Sequence, residues 1–439
     1  MIFNIIKDKK SSNKITVADT VIKKNKLTEI RRITLKFGCI KTDVEICEMD
    51  IDENTIWVSR DIIELLSIPT DLEYQINFTR DEVCIGPTVG LLLYQDIEYY
   101  TPNRLEKFFD YTLGYNEIKG LLCLIGESGL DFDKKTAEGY YYKASAKGKE
   151  RQWVKGKFPI PDAVFRRAGL LPDNMTKLSE LTENRVFNSY FFDKLEFWNI
   201  CRSNERTKDY IPQTSKLKSF RDVERMLRRF DTIFLKPVNG TLGNGLLKIQ
   251  KRGDVYTAQT KYEEKPMEFN DLTAAKEYIM DFVEGYSFIV QQDVNLIKYE
   301  DGYVDFRVIL QKDYTKNWVC AGIVSCIGAK NGIHSNYIDE GLYLSFEEIM
   351  KRTFSLSNPK IFEKRMEIVN VCKNIGAALD ETGENYGDLG IDVGFDKQMK
   401  PWVFEANKAQ FFYVPLMIGD FNAYYSARTN PIRYAAALG

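Results

Sequence analysis

Residues 233 to 249 read Ile-Phe-Leu-Lys-Pro-Val-Asn-Gly-Thr-Leu-Gly-Asn-Gly-Leu-Leu-Lys-Ile. The run predicts strand, glycine loop, strand. Ile233, Phe234 and Leu235 are strand formers. Lys236 closes the first strand, and Pro237 ends regular pairing because it has no N–H to donate. Gly240, Gly243 and Gly245 let the loop turn with positive φ and approach a ligand closely. A glycine loop with a lysine at its base suits phosphates: its N–H groups face anionic oxygens, and the ammonium adds a point charge. It is not a P-loop, since it lacks Gly-Lys-Ser/Thr and a strand follows it rather than a helix. The same residues also fit an ordinary hairpin with a flexible tip.

Composition narrows the classes. The chain has 439 residues, 44% hydrophobic and 28% charged, which suits a globular protein of more than one domain. A net charge of −2 provides no basic field to recruit nucleic acid. The cysteines, Cys39, Cys47, Cys84, Cys123, Cys201, Cys320, Cys326 and Cys372, form no Cys-x-x-Cys pair, which fits a reducing cytoplasm. The single histidine, His334, argues against a multi-His zinc site and a His-based triad. No signal peptide is visible, and no apolar run approaches the ~20 residues that span a bilayer.

Along the chain, residues 1 to about 30 are Lys-rich and predict a tail or a loosely attached strand. Residues 1–100 as a whole predict a β-rich module. Ser59 to Ser67 is a short helix candidate within it, and Cys84 to Leu93 a buried strand interrupted by Gly86-Pro87. Residues 101–187 predict an α/β region: a helix at Pro102 to Thr112, an apolar strand at Gly120 to Ile125, and a hairpin from Gly139 and Gln152. Residues 188–439 form the third expected unit. Ser219 to Phe230 predicts a helix with a capping-box start at Ser219 and Asp222 and an apolar stripe of Val223, Met226, Leu227 and Phe230. Pro359 to Leu379 predicts a long amphipathic helix with Phe362, Met366, Val369, Cys372 and Leu379 inward.

Three alternating strands then carry candidate chemistry. In Tyr303 to Gln311, Val304, Phe306, Val308 and Leu310 predict a core face, which puts Arg307 on the other. Leu389, Ile391, Val393 and Phe395 alternate with Asp392, and a polar turn leads to a strand in which Trp402, Phe404 and Ala406 alternate with Val403, Glu405 and Asn407. A hairpin can bring Asp392 beside Glu405 and Asn407. Two carboxylates and an amide oxygen are hard ligands suited to Mg²⁺ on nucleotide phosphates; a solvated sheet face explains the same pattern.

The ordered set of motifs resembles an ATP-grasp domain, and specifically the YheC/YheD family of endospore coat-associated proteins. It comprises Phe192-Asp193-Lys194, Phe234-Leu235-Lys236-Pro237, Gly240 to Gly245, Ile289-Val290-Gln291-Gln292, Asp305-Phe306-Arg307-Val308, Ser335-Asn336, Leu389-Gly390-Ile391-Asp392 and Glu405-Ala406-Asn407. The likeness extends upstream through Ile85 to Gly90, Gly139-Tyr140-Tyr141 and Phe158 to Pro161.

The resemblance implies an α/β (α+β) chain with an ATP-grasp fold in its C-terminal half. It implies Lys194 and Lys236 on the α- and β-phosphates of ATP, Gly240, Gly243 and Gly245 in the loop closing over them, and Gln291, Gln292 and Val294 in the hinge that holds adenine. Arg307, with Lys236, is implied in catalysis at the transferring phosphoryl group, and Asp392, Glu405 and Asn407 in binding Mg²⁺. The implied activity is an ATP- and Mg²⁺-dependent ligase that joins a small-molecule or peptide carboxylate to an amine through an acyl-phosphate. The alternative is a spore-coat-associated nucleotide-binding protein with little catalysis, and the implied location is the cytoplasm or the spore coat, among coat proteins. Departures lie on the substrate side. Cys326 and His334 stand where relatives carry arginine, Glu340-Gly341 replaces Gly-Gly, and Lys408-Ala409-Gln410 replaces small residues.

Overall fold

Apolar residues two apart suffice to make a strand even in a Lys-rich segment. Phe3 and Ile5 are buried, with Asn4 exposed between them and Ile2 and Ile6 exposed on either side, and Ile15 and Val17 are buried next. The opening segment is therefore not a tail but part of a closed barrel. The computed structural model describes residues 1–10, 12–144, 151–240, 243–263, 265–333 and 342–439. In it β1 (Ile2–Asp8), β2 (Lys14–Ala18), β3 (Arg32–Phe37), β4 (Ile40–Met49), β5 (Thr55–Ser59), β6 (Glu73–Phe78) and β7 (Glu82–Gly86) close in the order β1-β5-β2-β4-β3-β7-β6. Closure leaves no free sheet edge. Phe37 and Tyr74 fill the interior edge to face, 5.5 Å between ring centroids. Helix Arg60–Leu66 covers the barrel with Ile62, Ile63 and Leu66.

The expected single strand at Cys84 to Leu93 is two strands in different sheets. Pro87 cannot donate to a ladder, and it separates β7 from β8 (Thr88–Leu92). With β9 (Leu121–Asp131), β10 (Thr136–Lys143), β11 (Gln152–Pro159), β12 (Ala163–Arg166) and β13 (Val186–Phe187), β8 builds a second sheet, ordered β11-β10-β9-β8-β12-β13. Leu121 to Ile125 are wholly buried, as a covered sheet requires.

The third sheet holds the glycine hairpin. β14 (Thr214–Lys216), β15 (Thr232–Pro237), β16 (Leu247–Arg252), β17 (Val255–Thr260), β18 (Met267–Phe269) and β19 (Phe288–Gln292) take the order β14-β19-β15-β16-β17-β18. Helix Phe220–Phe230 packs Val223 and Leu227 with Ile233 and Leu235, and helix Leu272–Phe282 adds Ile279. The Ser219 N–H donates to the Asp222 carboxylate at 3.0 Å, as the capping-box spacing predicts.

The fourth sheet contains β20 (Lys298–Tyr299), β21 (Gly302–Lys312), β22 (Trp318–Ile327), β23 (Leu342–Ser345), β24 (Asp388–Phe395) and β25 (Pro401–Asn407). Its path is β23-β22-β21-β24-β25, with β20 paired to β21. Val304, Phe306, Val308 and Leu310 do form the core face of β21. Helix Asn358–Asp380 covers that face through Ile361, Ile368, Cys372, Ile375 and Leu379. The expected inward residues Phe362 and Met366 are exposed, at 64% and 41%. They trail Ile361 and Ile375's stripe by a fraction of a turn, enough to rotate them to solvent. The C-terminal helix Phe421–Leu438 lies against the opposite face and packs with Ile309. Among the described residues no helix is long and apolar enough to cross a membrane.

Candidate functional site

The third and fourth sheets face each other across a cleft, and the wall of that cleft draws on both. Lys194, Lys236, Gly240, Gly243, Gln291, Gln292, Val294, Asp392 and Glu405 all line it. Arg307 and Asn407 line an adjoining cavity, which shares Lys194, Gly240 and Glu405 with the first. Of the residues expected at the site, only Gly245 lies off both walls. Its φ of +70° turns the loop, and an added Cβ would sit 2.7 Å from Pro237 Cγ.

Each lysine is placed by its element. Asp193 caps helix Lys194–Ser203, accepting from the Leu195 and Glu196 N–H groups at 2.8 Å each. Lys194 is thereby fixed as the first helical residue, its Nζ donating to the Gly240 carbonyl and standing 3.6 Å from Glu405. Lys236 lies near the end of β15, and its Nζ donates to Gln291 Oε1 on the neighbouring β19 at 2.6 Å. Gln291 is held from its other end, where Nε2 donates to Thr214 Oγ1 at 3.0 Å. Burial lowers the Lys236 ammonium to about 8, Glu405 opposes the shift and Lys194 adds to it. A cation so desolvated gains most from an anion placed beside it.

Gly243 turns with φ +69°, but Gly240 does not adopt positive φ, contrary to expectation. Gly240 instead approaches Pro237 and offers its carbonyl to Lys194. Thr241 and Leu242 of this loop lie outside the described residues, as do His334, Ser335, Asn336, Glu340 and Gly341. The residues expected to form the hinge begin on β19. The Gln292 N–H donates to the Gln213 carbonyl at 2.9 Å, and Val294 is buried beyond it.

The acidic set comes together as its spacing predicts, with one departure. Asp392 is the register partner of Glu405, and Gly390 of Asn407. The register then shifts, and Val393 pairs with Val403. Phe404 is the extra residue of a bulge, so it shares the cleft wall with Glu405 instead of facing away from it. Simple alternation could not reveal this, because a bulge leaves no mark in a polar–apolar count. Trp198, Phe234 and Tyr303, also on the wall, carry no sequence signal of their own.

Arg307 is the register partner of Asp392 on the other side. Its Nε donates to Oδ1 at 2.5 Å and its Nη2 to Oδ2 at 3.1 Å. Asn407 Nδ2 stands 3.3 Å from both Asp392 Oδ2 and Glu405 Oε1, at a point the two carboxylates share. Burial pushes the Asp392 carboxyl above its usual range, the two hydrogen-bonded contacts to Arg307 pull it down, and the Glu405 and Asp305 charges add to the rise. Burial acts on Glu405 too, but Lys194, the Asp392 hydrogen bond and Lys236 hold it below its usual range. Two crowded carboxylates whose charges repel fit a divalent cation. Turning the Asn407 amide about its Cβ–Cγ bond would exchange Nδ2 for Oδ1 at that shared point. Among the described residues no group of three or more His, Cys, Asp or Glu is arranged to hold a metal, so the amide is needed to complete the set. Cys326 stands opposite Asp305 on β22, and its thiol is pushed well up by burial.

Residues 183–438 match the family described as YheC/D-like ATP-grasp. The endospore coat-associated protein YheD of Bacillus subtilis (strain 168) is 25% identical over 378 residues, covering 81% of this chain and 79% of that protein. The endospore coat-associated protein YheC of the same organism is 22% identical over 258 residues, covering 58% of this chain and 63% of that protein. Among solved structures, the VanG D-Ala:D-Ser ligase from Enterococcus faecalis is 12% identical and covers 79% of this chain and 98% of its own, with a TM-score of 0.46. The D-alanine-D-alanine ligase from Coxiella burnetii is 11% identical and covers 80% and 96%, with a TM-score of 0.43.

Proposed function

Because the chain belongs to the YheC/D-like ATP-grasp family, we propose that it binds ATP with Mg²⁺ and joins a carboxylate to an amine through an acyl-phosphate. The observation that carries this reading is the convergence of Lys194, Lys236, Gly240, Gly243, Asp392 and Glu405 on one wall, with Arg307 and Asn407 at its edge. Such a site needs cations and positioning rather than a side-chain nucleophile. Lys194 and Lys236 would hold the phosphates, and the hinge at Gln291, Gln292 and Val294 the adenine. Asp392, Glu405 and Asn407 would hold Mg²⁺, which when bound supplies positive charge to the polyphosphate. A substrate carboxylate oxygen attacks the γ-phosphorus, and the bond to the β–γ bridging oxygen breaks to release ADP. The amine then attacks the acyl carbon, phosphate leaves, and the amine nitrogen loses its proton.

A second reading rests on Arg307, whose guanidinium is engaged by Asp392, and on the relatives' name, endospore coat-associated. On this reading the chain is a coat-associated nucleotide-binding protein with little catalysis. ADP release by purified protein, across a panel of amino acids and small peptides with Mg·ATP, separates the two. Substrate-dependent ADP formation supports the ligase. Binding of Mg·ATP with no release on any member of the panel favours the coat role, and absence of binding removes both.

A further inference from the structure

The cavity that adjoins the nucleotide wall has a volume of ≈ 480 Å³. Its cations are Lys194, Arg307 and Lys408. The first two face carboxylates: Lys194 stands 3.6 Å from Glu405, and Arg307 holds Asp392. Lys408 differs. It follows directly on β25, and its Nζ donates to the Phe192 carbonyl at 2.5 Å, 4.0 Å from the centre of the Phe192 ring. Among the described residues no carboxylate lies within ion-pair distance of it, although it is partly buried. Glu405, Asp193 and Glu196 act on it only from beyond that distance, and an ammonium partly removed from water whose sole direct partners are a carbonyl and a ring can still gain from a carboxylate placed against it. Polar Asp193, Asn239, Glu405, Asn407 and Gln410 share the rest of the wall with an apolar part made by Phe191, Val238, Ala409 and Phe411, the last half-exposed.

We propose that Lys408 is a specificity-determining residue whose ammonium exchanges the Phe192 carbonyl for the carboxylate of an incoming acid with an apolar body, seated against Phe191 and Phe411. This deepens the ligase reading and rests on it, because the acid is the substrate whose carboxylate is activated there. The cavity's charge and its apolar wall together favour such an acid over its amide and over a small dicarboxylate. Formation of the acyl-phosphate would turn one carboxylate oxygen into the bridging oxygen and shift the negative charge to the phosphoryl oxygens, leaving Lys408 facing a neutral carbonyl oxygen.

The test uses the full chain saturated with Mg²⁺ and a non-hydrolysable ATP analogue. Calorimetry compares N-acetyl-L-phenylalanine with N-acetyl-L-phenylalaninamide, which differ only in the carboxylate. The parent should bind the acid about 10-fold or more tightly than the amide, the usual worth of one charge-assisted hydrogen bond. Lys408→Gln should bring the two within about twofold of each other, while Lys408→Arg should keep a preference for the acid. Melting of each variant without ligand reports folding, and Lys408→Met replaces Lys408→Gln if the latter does not fold. Equal binding of acid and amide by the parent, no binding of the acid, or undiminished preference in Lys408→Gln would each overturn the proposal. If the nucleotide itself fails to stabilise the parent, the ligase reading falls. If the nucleotide binds but acid and amide are not distinguished, only the role of Lys408 falls.

Discussion

Arg307 and Asp392 are register partners on β21 and β24, joined by two parallel hydrogen bonds, with side chains only 17% and 7% exposed. Removing one partner of such a pair leaves the other charge buried, at a cost of about 3–5 kcal/mol. Arg307→Ala should therefore lose stability of that order in urea unfolding without divalent cations. The loss should shrink with Mg·ATP, since a metal on Asp392 replaces the missing positive charge. A loss that is the same with and without Mg·ATP would argue against metal binding at Asp392.

Arg307→Lys retains a charge but not the planar fork that bridges two oxygens. Single-turnover ADP formation should fall by roughly 10³-fold, while nucleotide binding stays close to that of the parent. Cys326 stands beside the same site, opposite Asp305. Cys326→Arg in the Arg307→Lys background should recover part of the rate, and strictly additive effects would show that the two positions act on different groups.

Lys236 is the half-buried ammonium of the cleft wall proposed to hold the nucleotide. Mg·ATP at ~100 times its dissociation constant should stabilise the parent by about 2.7 kcal/mol, seen as a rise in melting temperature. Lys236→Ala should remove most of that rise. A shift that persists undiminished would take Lys236 out of the phosphate site.

The same lysine predicts a pH dependence. Its ammonium titrates at about 8 in the folded chain, below the ordinary 10.5. Between those values the unfolded chain holds a proton that the folded chain lacks, so unliganded stability rises with pH across this window, by up to about 3 kcal/mol from this group. Below pH 8 the penalty is constant. Lys408, also lowered to about 8 by burial, contributes in the same window. Lys236→Met should flatten the rise without abolishing it. Nucleotide phosphates favour the charged form, so Mg·ATP binding near pH 9 should take up protons, measured calorimetrically in buffers of different ionisation heat.

Glu405→Gln should keep the fold, because Glu405 points into the cleft while its neighbours Val403 and Ala406 supply the core contacts. Mg²⁺-dependent ATP hydrolysis should fall far more than metal-free nucleotide binding. Equal hydrolysis by variant and parent would make Glu405 a mere wall residue.

Much of this site could be read from the sequence because its strands alternate. Val304, Phe306, Val308 and Leu310 name the core face of β21 and so place Arg307 opposite it. Asp392 and Glu405 meet because a short polar turn joins two such strands. The glycine hairpin and the Ser219 cap are local signals and were equally plain. What the sequence hid was non-local. The barrel joins β1 to β5 and β3 to β7 across long intervals, and the apolar residues of its first strand run straight into Lys7, Lys9 and Lys10, which give the segment the look of a polar tail. Phe362 and Met366 are apolar yet exposed, since the covering stripe is set by which neighbours the helix meets. The Arg307–Asp392 pairing depends on side-chain reach, which periodicity does not encode.

The extra residue in β25 separates two design problems that a regular strand would tie together. With Phe404 absent, Val403 and Glu405 would be adjacent and still opposite Val393 and Asp392, and Ala406 and Asn407 would keep their phase. The acidic pair therefore does not depend on the aromatic ring that stands 5.4 Å from Lys236 Nζ. Shortening the strand by that one residue should strip the ring from the cleft wall and leave the carboxylates facing each other. The aromatic surface beside Lys236 and the spacing of the carboxylates can then be changed independently, by a change of length at a single position with no substitution at either.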